Sequence, residues 1–211
     1  MKWLAQIFSV LAIAFLIWGG WMLLRPDLPD GTYRPPPVEE PLRPPGHRGP
    51  FGLERLPDPE HYRPQGEARA LTSPIQRILI EKAARRMTIW QQSGPARTYR
   101  IALGFEPRGS KIRQGDGRTP EGIFRIDRLN PQSRFHLSLG LDYPQPHHRV
   151  AARRAGFSPG GDIMIHGQPN TIPRGYRVKG DWTEGCIAVD DHEIEEIFAM
   201  ARIGTEVEIR P

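Results

Sequence analysis

Alternating hydrophobic and polar residues after position 74 predict that most of this region is β-strand. Tyr99, Ile101 and Leu103 alternate with smaller or polar residues, a period typical of half-buried strands. Residues 75–90 fit either one amphipathic helix or two strands, at 77–82 and 86–91, and the Ser93-Gly94 turn signal that follows favours the strands. Further strands are predicted for short apolar runs bounded by Gly, Pro, Asn or Asp, at residues 122–126, 135–139, 162–166, 186–189 and 205–209.

One helix is predicted near the carboxyl end. Asp190 is suited to be its N-cap, and Glu193, three residues later, completes a capping box, while Gly204 ends the segment. The apolar residues between them fall on one helical face: Ile194, Ile197, Phe198 and Ala201. Many short strands with so few helices predict a mainly β (α+β) fold, a sandwich or barrel with one or two helices.

The first residues have a different character. Residues 3–24 carry no charge, and a helix of this length spans roughly 30 Å, the thickness of a bilayer core. The apolar run exceeds the roughly 7–15 residues of a signal peptide, so we predict an uncleaved transmembrane anchor at residues 1–25, with the bulk of the chain outside. Twelve prolines between Pro26 and Pro64 predict an extended linker over residues 26–73, which leaves 74–211 for the globular domain.

Composition excludes several classes of protein. With 38% hydrophobic and 25% charged residues, the chain is neither a polytopic membrane protein nor disordered overall. The formal charge of +5 comes from scattered arginines without a nucleic-acid-binding motif, so no nucleic-acid partner is expected. A single cysteine excludes an internal disulfide and any zinc site that needs two thiolates.

That cysteine and one histidine form the candidate chemistry. Cys186 follows a glycine and opens an apolar run; a buried cysteine more often acts as a small hydrophobe. His166 ends the apolar run 163–165 and precedes Gly167. If the two side chains meet, the imidazole can take the thiol proton, giving a thiolate and imidazolium that attack an acyl carbon. The alternative is a metal peptidase using His136, His166 and His147 or His148, but no carboxylate pair at ligand spacing accompanies these histidines, and no metal is expected.

His166-Gly167 together with Thr183-Glu184-Gly185-Cys186 resembles the YkuD-type L,D-transpeptidase catalytic domain of bacterial peptidoglycan enzymes. Segments 118–124 (RTPEGIF), 135–144 and 160–162 resemble the branch of Gram-negative murein L,D-transpeptidases, and the likeness extends over about residues 75–211. The resemblance implies action on peptidoglycan stem peptides without a cofactor. Combined with the predicted anchor, it implies an inner-membrane, single-pass protein with its catalytic domain in the periplasm.

The resemblance also implies residue roles. Cys186 would be the nucleophile, His166 the general base and later acid, and the carbonyl of Gly167 would orient the imidazole. The amides of Gly185, Cys186 and Glu184 would form the oxyanion hole. An amine or water would resolve the thioester, so a hydrolase that releases peptidoglycan-linked lipoprotein is an alternative to a transpeptidase. A peptidoglycan-binding module with weak catalysis is another.

Two positions depart from the family pattern. Glu184 stands where the widespread motif has histidine, and Ala188 where it has arginine. Without that arginine, we expect another residue to bind the substrate carboxylate: Arg118, Arg134 or Arg177. A carboxylate at Glu184 would raise the thiol pKa, so we hypothesise that it contacts a positively charged acceptor or leaving amine. Trp182 is interpreted as a core anchor, with a wall of the cleft as the other option.

Overall fold

The computed structural model of this chain describes residues 52–56 and 70–211. The predicted anchor at 1–25 and most of the predicted linker at 26–73 lie outside these residues, so both stay predictions. No helix of the described segments is long and apolar enough to cross a membrane.

The described residues form ten strands and two helices. The strands are β1 Leu53–Arg55, β2 Ile75–Glu81, β3 Arg86–Gln91, β4 Arg97–Arg100, β5 Gly122–Ser133, β6 His136–Leu141, β7 Met164–His166, β8 Tyr176–Val178, β9 Ile187–Ala188 and β10 Glu206–Arg210. The helices are α1 Pro146–Arg154 and α2 Asp191–Met200. The prediction of a mainly β fold with one or two helices is therefore confirmed, and residues 75–90 form two strands rather than a helix.

Eight of the strands belong to one sheet, in the order β4-β3-β2-β10-β5-β6-β7-β9, and β1 pairs only with β8. The sheet curls into a half-barrel, because the segment after β4 contacts β9 at the far edge. Ala102 and Ala188 exchange two backbone hydrogen bonds of 2.9 Å each at this contact. The curl gives the sheet an inner face that can enclose a core and a separate outer face.

The hydrophobic core lies on the inner face. Its strand residues alternate along each strand, and they include Ile80, Ile89, Phe124, Leu139, Ile165, Ile187 and Val207. Helix α2 packs on this face through Ile194 and Ile197, both fully buried. The predicted capping box is present, with Asp190 and Glu193 each bonding the backbone of the other. Burial of each such side chain contributes about 1.5–3 kcal/mol, so α2 is held chiefly by its apolar face.

The same alternation determines what the outer face presents. Leu139, Ile165 and Ile187 point into the core, so their neighbours along the strands point outward. Ser138 of β6 is paired in register with His166 of β7, and His166 with Ala188 of β9. A row of outward-facing side chains therefore crosses three adjacent strands, with His166 at its centre.

Candidate active site

The pairing of β7 with β9 brings His166 and Cys186 together. The two strands are parallel, with Ile165 level with Ile187 and His166 level with Ala188. Cys186 is therefore level with Met164, and its side chain shares the outer face with that of His166. The two Cα atoms lie on adjacent strands and are offset by two residues, so they are about 8 Å apart. A thiol and an imidazole can bridge this separation.

The His166 ring is held as a proton acceptor. Its Nδ1–H donates to the Gly167 carbonyl at 2.7 Å, which leaves the Nε2 lone pair available. The ring stacks on Phe135, with centroids 4.5 Å apart, and meets the edge of Trp182 at 5.7 Å. The side chain is only 2% exposed, and this burial lowers its pKa to about 4 despite the hydrogen bond to Gly167. The imidazole is neutral at pH 7, as a general base must be.

The Cys186 thiol is half-buried and also neutral. Its Sγ–H donates to the Asp162 carbonyl at 3.3 Å. Burial, above all, raises the pKa of the thiol to about 11; Asp162 and Glu184 add to the rise, and the Met164 amide and Lys111 oppose it. Glu184 thus acts in the expected direction but is not the main cause. The structure supports a neutral thiol–imidazole pair rather than the expected thiolate–imidazolium pair, so the proton must move during attack.

The Asp162 carbonyl, which accepts the hydrogen bond from the thiol, belongs to a residue with an unusual backbone conformation. Asp162 has a φ of +54°, in the left-handed region that few side chains adopt. Arg128 holds its carboxylate in a salt bridge of 2.6 Å. The thiol must leave this carbonyl before Sγ–H can reach His166 Nε2.

The loop before Cys186 offers two free amides. Gly185 has a φ of +133°, and a β-carbon there would lie 2.6 Å from the carbonyl oxygen of Arg118, so only glycine fits. Its own N–H donates to Thr183 Oγ1 at 3.2 Å. The amides of Glu184 and Cys186 donate to none of the described residues. Of the three predicted oxyanion-hole donors, these two are the ones available without breaking a bond.

The three candidate arginines lie in different places. Arg118 is half-buried; its backbone carbonyl lies beside Gly185, while its guanidinium lies near Gly109 and pairs with no carboxylate in the described part of the chain. Arg134 is exposed, with its guanidinium 6.0 Å from the ring of Phe135. Arg177 is 3.5 Å from Asp190 and 3.8 Å from Glu54, in a cavity of about 130 Å³ that Ala188 also lines. Of the three, Arg118 is the one whose backbone contacts the loop before Cys186.

Aromatic and charged groups that the sequence reasoning missed complete the surroundings. Phe135 stacks directly on His166, a contact that the sequence pattern around either residue does not predict. Trp182 lies against His166 and Phe135 and outside the core cluster, which makes it a wall of the site rather than a core anchor. A buried salt bridge of 2.8 Å joins Lys111 to Asp116, close enough for Lys111 to affect the thiol. A single strand-end histidine gives no signal for these long-range neighbours.

Three other histidines contact neighbouring side chains or backbone rather than the site. His148 Nδ1 accepts a hydrogen bond from the amide of Gln145 at the start of α1, and its ring contacts that of His147 at 3.9 Å. His136 Nε2 lies 2.7 Å from Glu195. Across residues 52–56 and 70–211, no group of three or more His, Cys, Asp or Glu residues is arranged to hold a metal ion.

The sequence matches a known family over most of the described residues. Residues 75–209 match the YkuD family model, described as L,D-transpeptidase catalytic domain. The chain is 28% identical over 132 residues to the protein named "Putative L,D-transpeptidase YafK" of Escherichia coli K12, covering 60% of this chain and 46% of the relative. The O157:H7 protein of that name gives the same figures. The chain thus spans about half the length of the curated relatives it matches.

A solved structure shares the fold. The helical cell shape determining protein Pgp2 of Campylobacter jejuni superposes with a TM-score of 0.50 at 22% identity, over 68% of this chain and 50% of that protein. Its K307A mutant gives the same TM-score at 23% identity. At this level of identity the likeness concerns the fold alone.

Proposed function

The chain belongs to the YkuD family of L,D-transpeptidase catalytic domains, and we propose that it is a cysteine-dependent enzyme that transfers acyl groups of peptidoglycan stem peptides through a thioester. The observation that carries the proposal is the β7–β9 register, which sets Cys186 beside an imidazole whose Nδ1–H is tied to the Gly167 carbonyl. This is the arrangement of a nucleophile, a general base and an orienting group. None of these roles needs a metal or an organic cofactor.

The reaction begins with a proton transfer. The Cys186 thiol leaves the Asp162 carbonyl and gives its proton to His166 Nε2 as Sγ attacks the peptide carbonyl. The oxyanion accepts hydrogen bonds from the amides of Cys186 and Glu184, and such a donor contributes about 3 kcal/mol where measured. The C–N bond then breaks, and the proton on Nε2 passes to the leaving amine, which leaves a thioester on Cys186.

The second half-reaction restores the thiol. An acceptor amine or a water gives a proton to the neutral Nε2 and attacks the thioester, and the thiolate that leaves recovers the proton from His166. A joined peptide is the product with an amine, and a shortened peptide with water. The hydrolase that releases peptidoglycan-linked lipoprotein would use the same two steps and remains the second candidate function.

We assign to Glu184 the binding of the amine, either that of the acceptor or that of the leaving group. Its side chain is exposed, two residues before the nucleophile, and it pairs with no cation among the described residues. A carboxylate there raises the pKa of the thiol, a disadvantage that a bound ammonium group would remove. Glu184→Gln should raise the KM for the amine acceptor and leave hydrolysis by water little changed. Unchanged turnover and pH profile with the amine would contradict the assignment.

We assign the binding of the substrate carboxylate to the guanidinium of Arg118. This guanidinium pairs with no carboxylate among the described residues and the backbone carbonyl of Arg118 lies against Gly185, whereas Arg177 already faces Asp190 and Glu54. Arg118→Gln should raise KM about tenfold or more with a smaller effect on kcat, because a charge-assisted hydrogen bond contributes about 1.5–3 kcal/mol. Arg134→Gln, which removes an exposed cation at the rim, is the matched control.

The cellular setting is proposed from the sequence. A single-pass anchor at residues 1–25 in the inner membrane would hold residues 74–211 in the periplasm through the linker 26–73. An enzyme placed there would act in cell-wall remodelling and influence cell shape. The rival proposal is a peptidoglycan-binding module in which Cys186 is catalytically weak.

A direct test distinguishes these functions. The purified protein is incubated with muropeptides and with lipoprotein-linked sacculi, and the products are identified by mass. A joined product indicates transfer, and a product one water heavier in total indicates hydrolysis. Cys186→Ala should abolish both; retained turnover in that variant would refute the thiol mechanism, and no turnover in the wild type would favour the binding module.

A further inference from the structure

A buried hydroxyl next to the proposed base has no hydrogen-bond partner. Ser138 is 0% exposed, and its Oγ bonds to nothing in the described structure. Leaving a buried polar group unpaired costs about 1–3 kcal/mol, so such groups are rare in native proteins and often mark functional sites. Replacement by alanine would remove this cost, so stability does not explain the hydroxyl.

The strand register places Ser138 beside His166 on the same face of the sheet. Ser138 of β6 is directly opposite His166 of β7, and their side chains share the outer face. Residues paired in this way have Cβ atoms about 5 Å apart. On the other side of His166, the paired residue is Ala188, which carries no polar group. Ser138 is therefore the polar residue in register with the imidazole.

A second buried atom without a hydrogen-bond partner lies nearby, on Trp182. Trp182 Nε1 is also buried without a partner, and its ring contacts that of His166. An indole N–H can only donate, whereas a hydroxyl both donates and accepts. When His166 carries two protons, Nδ1–H is satisfied by Gly167 and Nε2–H needs an acceptor. Of these two neighbours, only Ser138 can supply one.

We propose that Ser138 is a positioning residue that acts through His166: its hydroxyl accepts a hydrogen bond from Nε2–H in the protonated imidazole and stabilises the charged form that arises when Cys186 is deprotonated. This role rests on the proposed thiol mechanism. The hydrogen bond is absent while the imidazole is neutral, so it must form by movement of the two side chains when Nε2 is protonated, and it involves no covalent step. The hydroxyl must release Nε2–H again when the proton passes to the leaving amine.

The test is a double-mutant cycle on the thiol itself. The rate of Cys186 alkylation by iodoacetamide at pH 7 is measured in the wild type, Ser138→Ala, His166→Gln and the double variant. Ser138→Ala should slow alkylation about tenfold with His166 present, as expected for a lost hydrogen bond to a charged group. It should have no effect in the His166→Gln background, because the two residues act as one unit.

Stability and control measurements exclude a merely structural role. The Tm of Ser138→Ala should equal or exceed that of the wild type, because no native hydrogen bond is lost. Thr205→Val, which removes another buried hydroxyl in the turn before β10, should alkylate at the wild-type rate. Equal slowing of alkylation in both backgrounds, no slowing with His166 present, or a lowered Tm for Ser138→Ala would each overturn the proposal. The cycle uses no peptidoglycan, so failure of the proposed function shows separately, as turnover that survives in Cys186→Ala or is absent from the wild type.

Discussion

His166 should make the stability of the protein depend on pH in a way that one substitution removes. An unfolded histidine has a pKa near 6.5, and burial in the folded site lowers that of His166 to about 4. As the pH falls, the unfolded state therefore takes up the proton first. Stability is complete above pH 6.5 and is lost as the pH falls toward 4.

The size of the effect follows from these two values. The whole loss is about 3 kcal/mol once both states are protonated, and about 2 kcal/mol of it falls between pH 7 and pH 5. His166→Gln keeps an N–H donor for the Gly167 carbonyl and cannot ionise. Its free energy of unfolding should therefore be about 2 kcal/mol less dependent on pH over this interval.

The assay is urea unfolding of both proteins at pH 7, 6 and 5. Other groups titrate in this window, but they are common to both proteins and cancel in the difference between them. A difference in stability that stays constant across the three pH values would refute the account. It would mean that the His166 pKa is near its ordinary value and that the imidazole is neither buried nor held neutral as described.

Three further outcomes follow from the same structure. The ultraviolet absorbance of the Cys186 thiolate, taken as wild type minus Cys186→Ala, should develop with a midpoint near pH 11; a midpoint below pH 8 would contradict the neutral thiol. Gly185→Ala should abolish turnover and lower the free energy of unfolding by about 1–3 kcal/mol, because φ is +133° and the new β-carbon meets the Arg118 carbonyl. Gly204→Ala is the control that isolates backbone strain, because φ there is +89° but no atom lies close to the new β-carbon. Burial raises the Glu193 pKa to about 7, so ionisation of this carboxyl destabilises the fold as the pH rises past its ordinary pKa. Glu193→Gln should therefore raise the free energy of unfolding by up to about 3 kcal/mol at pH 8 and leave it unchanged at pH 4. A variant with the stability of the wild type at both pH values would count against this account.

Local patterns found most of the elements, but they missed β1, β8 and α1 and did not fix the ends of the others. The period of two correctly predicted strands through residues 75–91, and the capping box correctly predicted α2. The predicted strand 162–166 begins only at Met164, because Asp162 has a left-handed backbone. The predicted strand 186–189 shrinks to Ile187–Ala188, directly after the loop that Gly185 shapes. These end effects arise from contacts with distant segments, which a local window does not contain.

The sequence by itself was enough to select one thiol and one strand-end histidine as the candidate chemistry, because their residue types and flanking glycines are local properties. The tertiary structure alone decided how they are used. Pairing between strands selected the face that His166 shares with Cys186 and Ser138, and burial by Phe135 and Trp182 set the protonation state of the pair. Register and desolvation depend on segments far apart in the chain, so no single stretch of sequence specifies them.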